Sequence, residues 1–232
     1  RTVTIEVAVS EAVVGDDPSF VRRLAPEELE RASRREDSGA FLTARALQRT
    51  TIGQVLGVEP SELVFERRCT TCGSTRHGKP RIGGYPEWSF SLSYTHSMAV
   101  LALARAPEVG IDVEHLDDAG FAAFDDLTLA EDERPALAAL TGQEQLAARA
   151  VVWARKEAVL KATGHGLVVD PSSIVVSAPD VDPALVDWRA AETAPAAVRL
   201  LDVPLADARH RAAVAVLSDD DVTLTRLGDV LR

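Results

Sequence analysis

The chain has 232 residues, 46% of them hydrophobic and 26% charged, with a mean hydropathy of zero. That suffices for one large domain or two small ones with a real core. No apolar run approaches the roughly 18 residues of a membrane helix, and two cysteines cannot build a disulfide framework. The net charge of −11 argues against a general nucleic-acid or anionic-membrane binder.

The charge is uneven: residues 1–110 carry 14 basic and 14 acidic side chains, and residues 111–232 carry 11 and 22. Basic usage is skewed, with 22 Arg and three Lys, namely Lys79, Lys156 and Lys161. The few lysines stand out because Lys is a compact point charge and Arg a planar fork.

Residues 2–9 alternate as a strand and do not read as a signal peptide, so a cytoplasmic protein is expected. Pro26 opens a helix with Glu27 and Glu28 in its first turn. A second helix is expected from about 37 to 56, with Phe41, Leu42, Ala46, Leu47 and Ile52 for a buried face and Gly57 as its stop. Residues 63–67 read as a short strand, followed by a polar, Gly-rich loop to Pro80. Residues 90–93 and 98–104 read as strands around a polar break at 94–97.

The pattern then restarts with a strand at 109–114. Thr141 and Glu144 fit a capping box opening a helix that runs to about 162 and stops near Gly164. Residues 174–177, 198–201, 211–217 and 222–227 read as strands, and 179–195, rich in Pro, Ala and Asp, mostly as loop. The expectation is an α+β fold in two parts, 1–108 and 109–232, with the boundary near 106–109.

The strongest chemical constellation joins Gly-Ile-Asp-Val-Glu at 110–114 to Trp-Ala-Arg-Lys-Glu-Ala-Val-Leu-Lys at 153–161. Strand residues two apart share a face, so Asp112 and Glu114 sit about 7 Å apart at Cα. Helix residues four apart share a face, so Trp153, Glu157 and Lys161 form one stripe. If strand and helix meet, three carboxylates surround one point beside an ammonium, and they would protonate unless a cation holds them. Hard oxygen ligands of that kind suit Mg²⁺, which also binds substrate phosphates. Each piece has a plainer reading. Glu157 and Lys161 could be an ordinary i,i+4 surface pair, and Asp112 and Glu114 could be solvated carboxylates leading into Asp117 and Asp118.

These two segments resemble the signature of the surfactin-type (Sfp-type) 4′-phosphopantetheinyl transferases. That signature is a Gly-hydrophobic-Asp-x-Glu strand and, some forty residues on, an aromatic-x-x-Lys-Glu-Ala/Ser-x-x-Lys helix. Glu114 and Glu157 are 43 residues apart. His-Gly-Lys-Pro at 77–80, Leu-Ser-Tyr-Thr-His-Ser at 92–97 and the helix pair at 26–49 extend the likeness over residues 20–180.

The resemblance implies two similar α/β subdomains related by a pseudo-two-fold, with coenzyme A in the cleft between them. It implies a holo-[acyl-carrier-protein] synthase type of enzyme. Such an enzyme moves 4′-phosphopantetheine from coenzyme A to a serine of an apo acyl or peptidyl carrier protein and releases adenosine 3′,5′-bisphosphate. The carrier would serve fatty acid, polyketide or nonribosomal peptide synthases. By position, Asp112, Glu114 and Glu157 would hold Mg²⁺, and Glu157 would act as base. Lys161 would neutralise or protonate the leaving phosphate. Lys79, Thr95 and His96 would contact nucleotide phosphates. Arg31, with Arg45 as a weaker second candidate and Arg34 and Arg35 as competing donors, would meet the 3′-phosphate. Ala40 stands where the family often carries a basic residue, and Glu28 where some members carry Lys. A single chain holding both halves implies a pseudodimeric monomer.

Two rival readings share parts of the pattern: a non-catalytic module that holds coenzyme A or a carrier protein, and a metal-dependent hydrolase of the coenzyme A diphosphate. Cys69 and Cys72 with His77 form one metal-like knuckle but lack a clear fourth ligand, and a structural zinc site needs four. They are read as a plain loop. His115, His165 and His210 are read as solvated, as is the acidic stretch 117–133.

Overall fold

The structure is a computed structural model and describes residues 3–67, 73–75, 78–228 and 230–231. Cys69, Cys72 and His77 lie outside the described residues. The main elements in chain order begin with β1 (Thr4–Val13), α1 (Pro26–Ala32), α2 (Ser38–Leu56), β2 (Phe65–Arg67), β3 (Pro80–Ile82), β4 (Ser89–Tyr94) and β5 (Met98–Ala104). There follow β6 (Val109–His115), α3 (Phe124–Thr128), α4 (Arg134–Ala138), α5 (Gly142–Thr163), β7 (Ile174–Val176), β8 (Leu185–Trp188), β9 (Arg199–Val203), β10 (His210–Val216) and β11 (Asp221–Arg226). The fold is mixed α+β. No helix among the described residues is long and apolar enough to cross a membrane.

The chain divides into two compact units, one of residues 5–106 with 223–232, the other of residues 107–222 with 1–4. Sequence pattern alone groups 223–232 with the second half. The structure instead lays β11 beside β1 at the edge of a sheet ordered β11-β1-β5-β4. Leu227 N–H donates to Val9 O at 2.9 Å and extends that pairing.

In the first unit β5 is antiparallel to both β1 and β4. All seven β5 residues are buried, as suits a continuous apolar run in the middle of a sheet. Helix α2 packs Ala44, Leu47 and Ile52 with Phe90, Leu101 and Leu103. It ends at Gly57, whose φ of 69° is the left-handed turn that glycine adopts without strain.

In the second unit β10 pairs antiparallel with both β6 and β9, and α5 lies across this sheet. The face it presents there is made of small residues four apart, Ala154, Ala158 and Ala162, all buried. Gly110 on β6 meets that face directly. A Cβ there would lie 2.0 Å from Ala158 O and 2.5 Å from Ala162 N. Only glycine lets strand and helix come this close.

Three consecutive charged residues of α5 leave the helix in different directions. Arg155, 1% exposed, clasps Asp202 with Nε and Nη2 and donates to the carbonyls of Ser177, Ala178 and Val181. Lys156, wholly buried, donates to Glu133 and to the Thr128 and Pro171 carbonyls. Glu133 also accepts from the backbone N–H groups of Ala130 and Val176. Removing one partner of such a buried pair costs about 3–5 kcal/mol.

Several expectations need correction. Thr141 precedes α5 but makes no capping bond through its side chain, and Gly142 enters the helix at φ 57°. The loop at 179–195 contains β8, which pairs with β7 across a register shift. Glu133, expected in a solvated stretch, is 8% exposed because Lys156 needs its charge. His115 and His210 are 4% and 2% exposed and stack edge-on, 4.9 Å between ring centroids, as opposite residues of β6 and β10. His165 is half-buried against Trp188.

The Gly110 contact sets a stability test. Gly110→Ala is expected to lower the unfolding free energy by about 3 kcal/mol, the upper range for overpacking against backbone. Gly15→Ala, whose Cβ meets nothing within 4 Å, should stay within about 0.5 kcal/mol. Equal denaturation midpoints for Gly110→Ala and wild type would show that the two elements separate freely.

Candidate active site

The alternation of β6 places Gly110, Asp112 and Glu114 on one face and Val109, Ile111, Val113 and His115 on the other. Because Gly110 abuts Ala158 and Ala162, the Asp112 side chain comes to the face of α5 that carries Glu157 and Lys161. Lys161 Nζ donates to Asp112 Oδ1 at 2.5 Å. The Asp112 side chain is 4% exposed and that of Lys161 29%, so solvent reaches the pair from the lysine side.

Glu157 is one helical turn before Lys161 and 9% exposed, and its Oε1 has no hydrogen-bond partner among the described residues. Burial, and then the Asp112 charge, push the Glu157 carboxyl up to about 7, with Lys161 opposing. Burial pushes Glu114 further, to about 9, and the Asp112 charge and a shared hydrogen bond with Asp112 add to the effect. The cause is common to both: carboxyl groups crowded in low dielectric, with one partly exposed ammonium to offset them.

The four residues singled out in the second half of the sequence are therefore drawn together. Among the described residues, no three His, Cys, Asp or Glu side chains form a ready-made metal-ligand group. The donor set nonetheless fits a hard divalent cation. It consists of carboxylate oxygens alone, Glu157 Oε1 is buried without a partner among the described residues, and burial raises the pKa of two of the carboxyls.

The remaining candidates lie in the first unit. Thr95 closes the turn between β4 and β5, where its Oγ1 accepts from the backbone N–H groups of Ser97 and Met98. His96, beside it, is exposed, and Lys79 is half-buried just before β3. Arg31 on α1 and Arg45 on α2 line a cavity of about 480 Å³ together with Gln48, Arg49, Phe65 and Arg67. Thr95, His96 and Lys79 are not among the residues lining it.

Arg67 and Gln48 of this lining carry no local signal in the sequence, being an Arg that ends a three-residue strand and a Gln inside a helix. His115 was within reach: period-2 alternation from Asp112 and Glu114 puts it on the buried face with Val113.

The description "4′-phosphopantetheinyl transferase superfamily" belongs to the family model that matches residues 108–215. Those bounds take in β6, α5 and all but the last residue of β10. The chain is 30% identical to the 4′-phosphopantetheinyl transferase HetI of Nostoc sp. over 200 residues, 83% of this chain and 78% of the relative. It is 30% identical to the 4′-phosphopantetheinyl transferase psf-1 of Bacillus pumilus over 142 residues, 59% of this chain and 55% of the relative. A 4′-phosphopantetheinyl transferase of Bacillus subtilis is 25% identical over 169 residues, 72% of this chain and 71% of the relative. The crowded carboxyls, the lysine that faces them and these matches lead to one conclusion: the chain belongs to the 4′-phosphopantetheinyl transferase superfamily.

Proposed function

We propose that the chain is an Sfp-type enzyme that transfers 4′-phosphopantetheine from coenzyme A to a serine of an acyl or peptidyl carrier protein. The observation that carries this reading is the Lys161–Asp112 pair beside a buried Glu157 whose Oε1 has no hydrogen-bond partner among the described residues. Phosphoryl transfer asks the protein mainly for positioning and charge neutralisation, and a carboxylate within reach of the serine hydroxyl can serve as its base. A cytoplasmic, monomeric enzyme is part of the proposal. The two units each lay one long helix on an antiparallel sheet, which supports a duplicated architecture.

Asp112, Glu114 and Glu157 would hold Mg²⁺. Bound there, the ion would serve as Lewis acid and template for the coenzyme A diphosphate. The residues themselves supply the rest. Glu157, ionised, takes the proton of the carrier serine. The serine oxygen then bonds to the phosphorus nearer the pantetheine, and the diphosphate P–O bond to that phosphorus breaks. Adenosine 3′,5′-bisphosphate leaves with the electron pair, and the Lys161 ammonium neutralises it or returns a proton. Asp112 keeps that ammonium in place. Burial of Glu157 keeps bulk water from its oxygens, which favours the serine over water as acceptor.

Glu157→Gln tests the base directly. The variant should lose about 100-fold or more in kcat while its coenzyme A affinity, measured by calorimetry, stays within about threefold. A module that only binds would show no transfer before or after the change and would keep its coenzyme A affinity.

The pH dependence follows from the raised carboxyls. In the folded chain Glu114 and Glu157 hold protons that the unfolded chain releases near 4.5. The folded state therefore binds more protons between pH 4.5 and 9, and stability falls as pH rises through that window. Mg²⁺ must displace those protons, so its affinity should increase from pH 6 to pH 9, and its binding should release protons. Melting temperatures across that range, with and without Mg²⁺, are expected to diverge, and Glu114→Gln should flatten the metal-free slope. Parallel melting curves at every pH would contradict the assignment of these groups.

A further inference from the structure

Nothing among the described residues bonds to the buried Oε1 of Glu157, so the place of this carboxyl depends on how α5 lies on the sheet. Two ion pairs mount the helix there. Lys161 Nζ donates to Asp112 Oδ1. Further back along the helix, Arg155 Nε and Nη2 donate to Asp202 Oδ1 and Oδ2 at 2.9 and 2.7 Å.

The register of the sheet relates the two acceptors. Ala213 of β10 stands opposite Asp112 of β6 on one side and Asp202 of β9 on the other. Residues directly opposite share a face, so the aspartates end one row across three strands, about 9.5 Å apart by two strand spacings. Their partners are six residues apart on α5, a rise of about 9 Å. One straight helix therefore meets both.

The partners also straddle the tight contact with the strand. Ala158, whose carbonyl abuts Gly110, lies three residues after Arg155 and three before Lys161. Residues at those offsets project about 60° to either side of it. A single contact leaves a helix free to roll about its axis, and an ion pair on each side removes that freedom.

The two ends differ. The Lys161 side chain is 29% exposed, and the transfer proposed above draws its ammonium toward the leaving phosphate, so that end yields during the reaction. The Arg155 side chain is 1% exposed, and all five of its N–H donors are used. Nη1 donates to the Ser177 and Ala178 carbonyls at 2.9 and 2.8 Å, and Nη2 also to that of Val181 at 3.2 Å. This end is fixed, and Asp202 is the carboxylate that neutralises it.

We propose that Asp202, which belongs to neither signature segment, is a positioning residue for the transfer. Through Arg155 it sets the roll of α5, and with it where Glu157 meets the carrier serine. The proposal rests on the transferase reading.

Kinetics of Asp202→Ala, measured where circular dichroism shows it folded, test this. The kcat should fall about tenfold, since 1 Å of misplacement costs up to about 100-fold, while the KM for coenzyme A stays within about twofold. Asp202→Glu, which keeps a carboxylate for the guanidinium fork, should return kcat to within about threefold of wild type. Leu137→Ala, which empties a buried site on α4, is the stability control: it should melt early and keep its kcat. If Asp202→Ala does not fold, Asp202→Asn takes its place. In a crystal structure of the variant, Glu157 should stand displaced from Asp112. A kcat loss no greater than that of Leu137→Ala, or an unmoved Glu157, overturns the proposal. Absence of transfer by wild type, with Glu157 displaced in the variant, sinks the transferase reading and leaves the two-ended mount of α5 standing.

Discussion

The backbone-to-backbone approach of β6 and α5 at Gly110 is the constraint on which the rest of the second unit depends. With a Cβ only 2.0 Å from Ala158 O, no other residue keeps the strand at this depth. Two residues further along the same face stands Asp112, and one residue before Ala158 stands Glu157. The distance from Lys161 to Asp112, 2.5 Å, is thus a consequence of the strand–helix packing. The alanines at 154, 158 and 162 serve the same end, since larger side chains would lift the helix and open the site.

Electrostatics works against that closeness, and the fold compensates from both sides of Glu157. Arg155 ties α5 to Asp202 and to the carbonyls of residues 177, 178 and 181, while Lys156 ties it to Glu133. Neither side chain is available for chemistry, although both stand inside the signature helix. Their work is to fix the rotation of α5 about its axis, so that Glu157 faces the strand carboxylates at the cost of a pKa raised to about 7. Carboxyls whose pKa values are raised by burial beside a specific charge partner mark a candidate functional site.

Much of this was legible in the sequence because it is written in local chemistry. The ends of α2 and α5 follow from Gly57 and Gly164, both left-handed at φ 69° and 77°, and the buried run 98–104 reads as a central strand. The period of 2 around Asp112 and the period of 3.6 around Glu157 name the site's four residues. What was hidden depends on partners far away in the chain. Glu133 is buried because of a lysine 23 residues on, β8 exists because β7 accepts it across a register shift, and β11 joins the sheet of β1 by a pairing no local pattern encodes. The Thr141 cap fails for a local reason, the positive φ of Gly142.

The central claim is that crowded carboxyls and a lysine, brought together by a strand–helix contact, perform phosphopantetheine transfer. Intact mass spectrometry of an apo carrier protein tests this most directly, after incubation with coenzyme A, Mg²⁺ and the protein, beside an EDTA control. The expected result is a gain of one phosphopantetheine on the carrier, lost with EDTA. No gain on fatty-acid, polyketide or peptidyl carriers, with coenzyme A nonetheless bound, would contradict it and leave a binding module in its place.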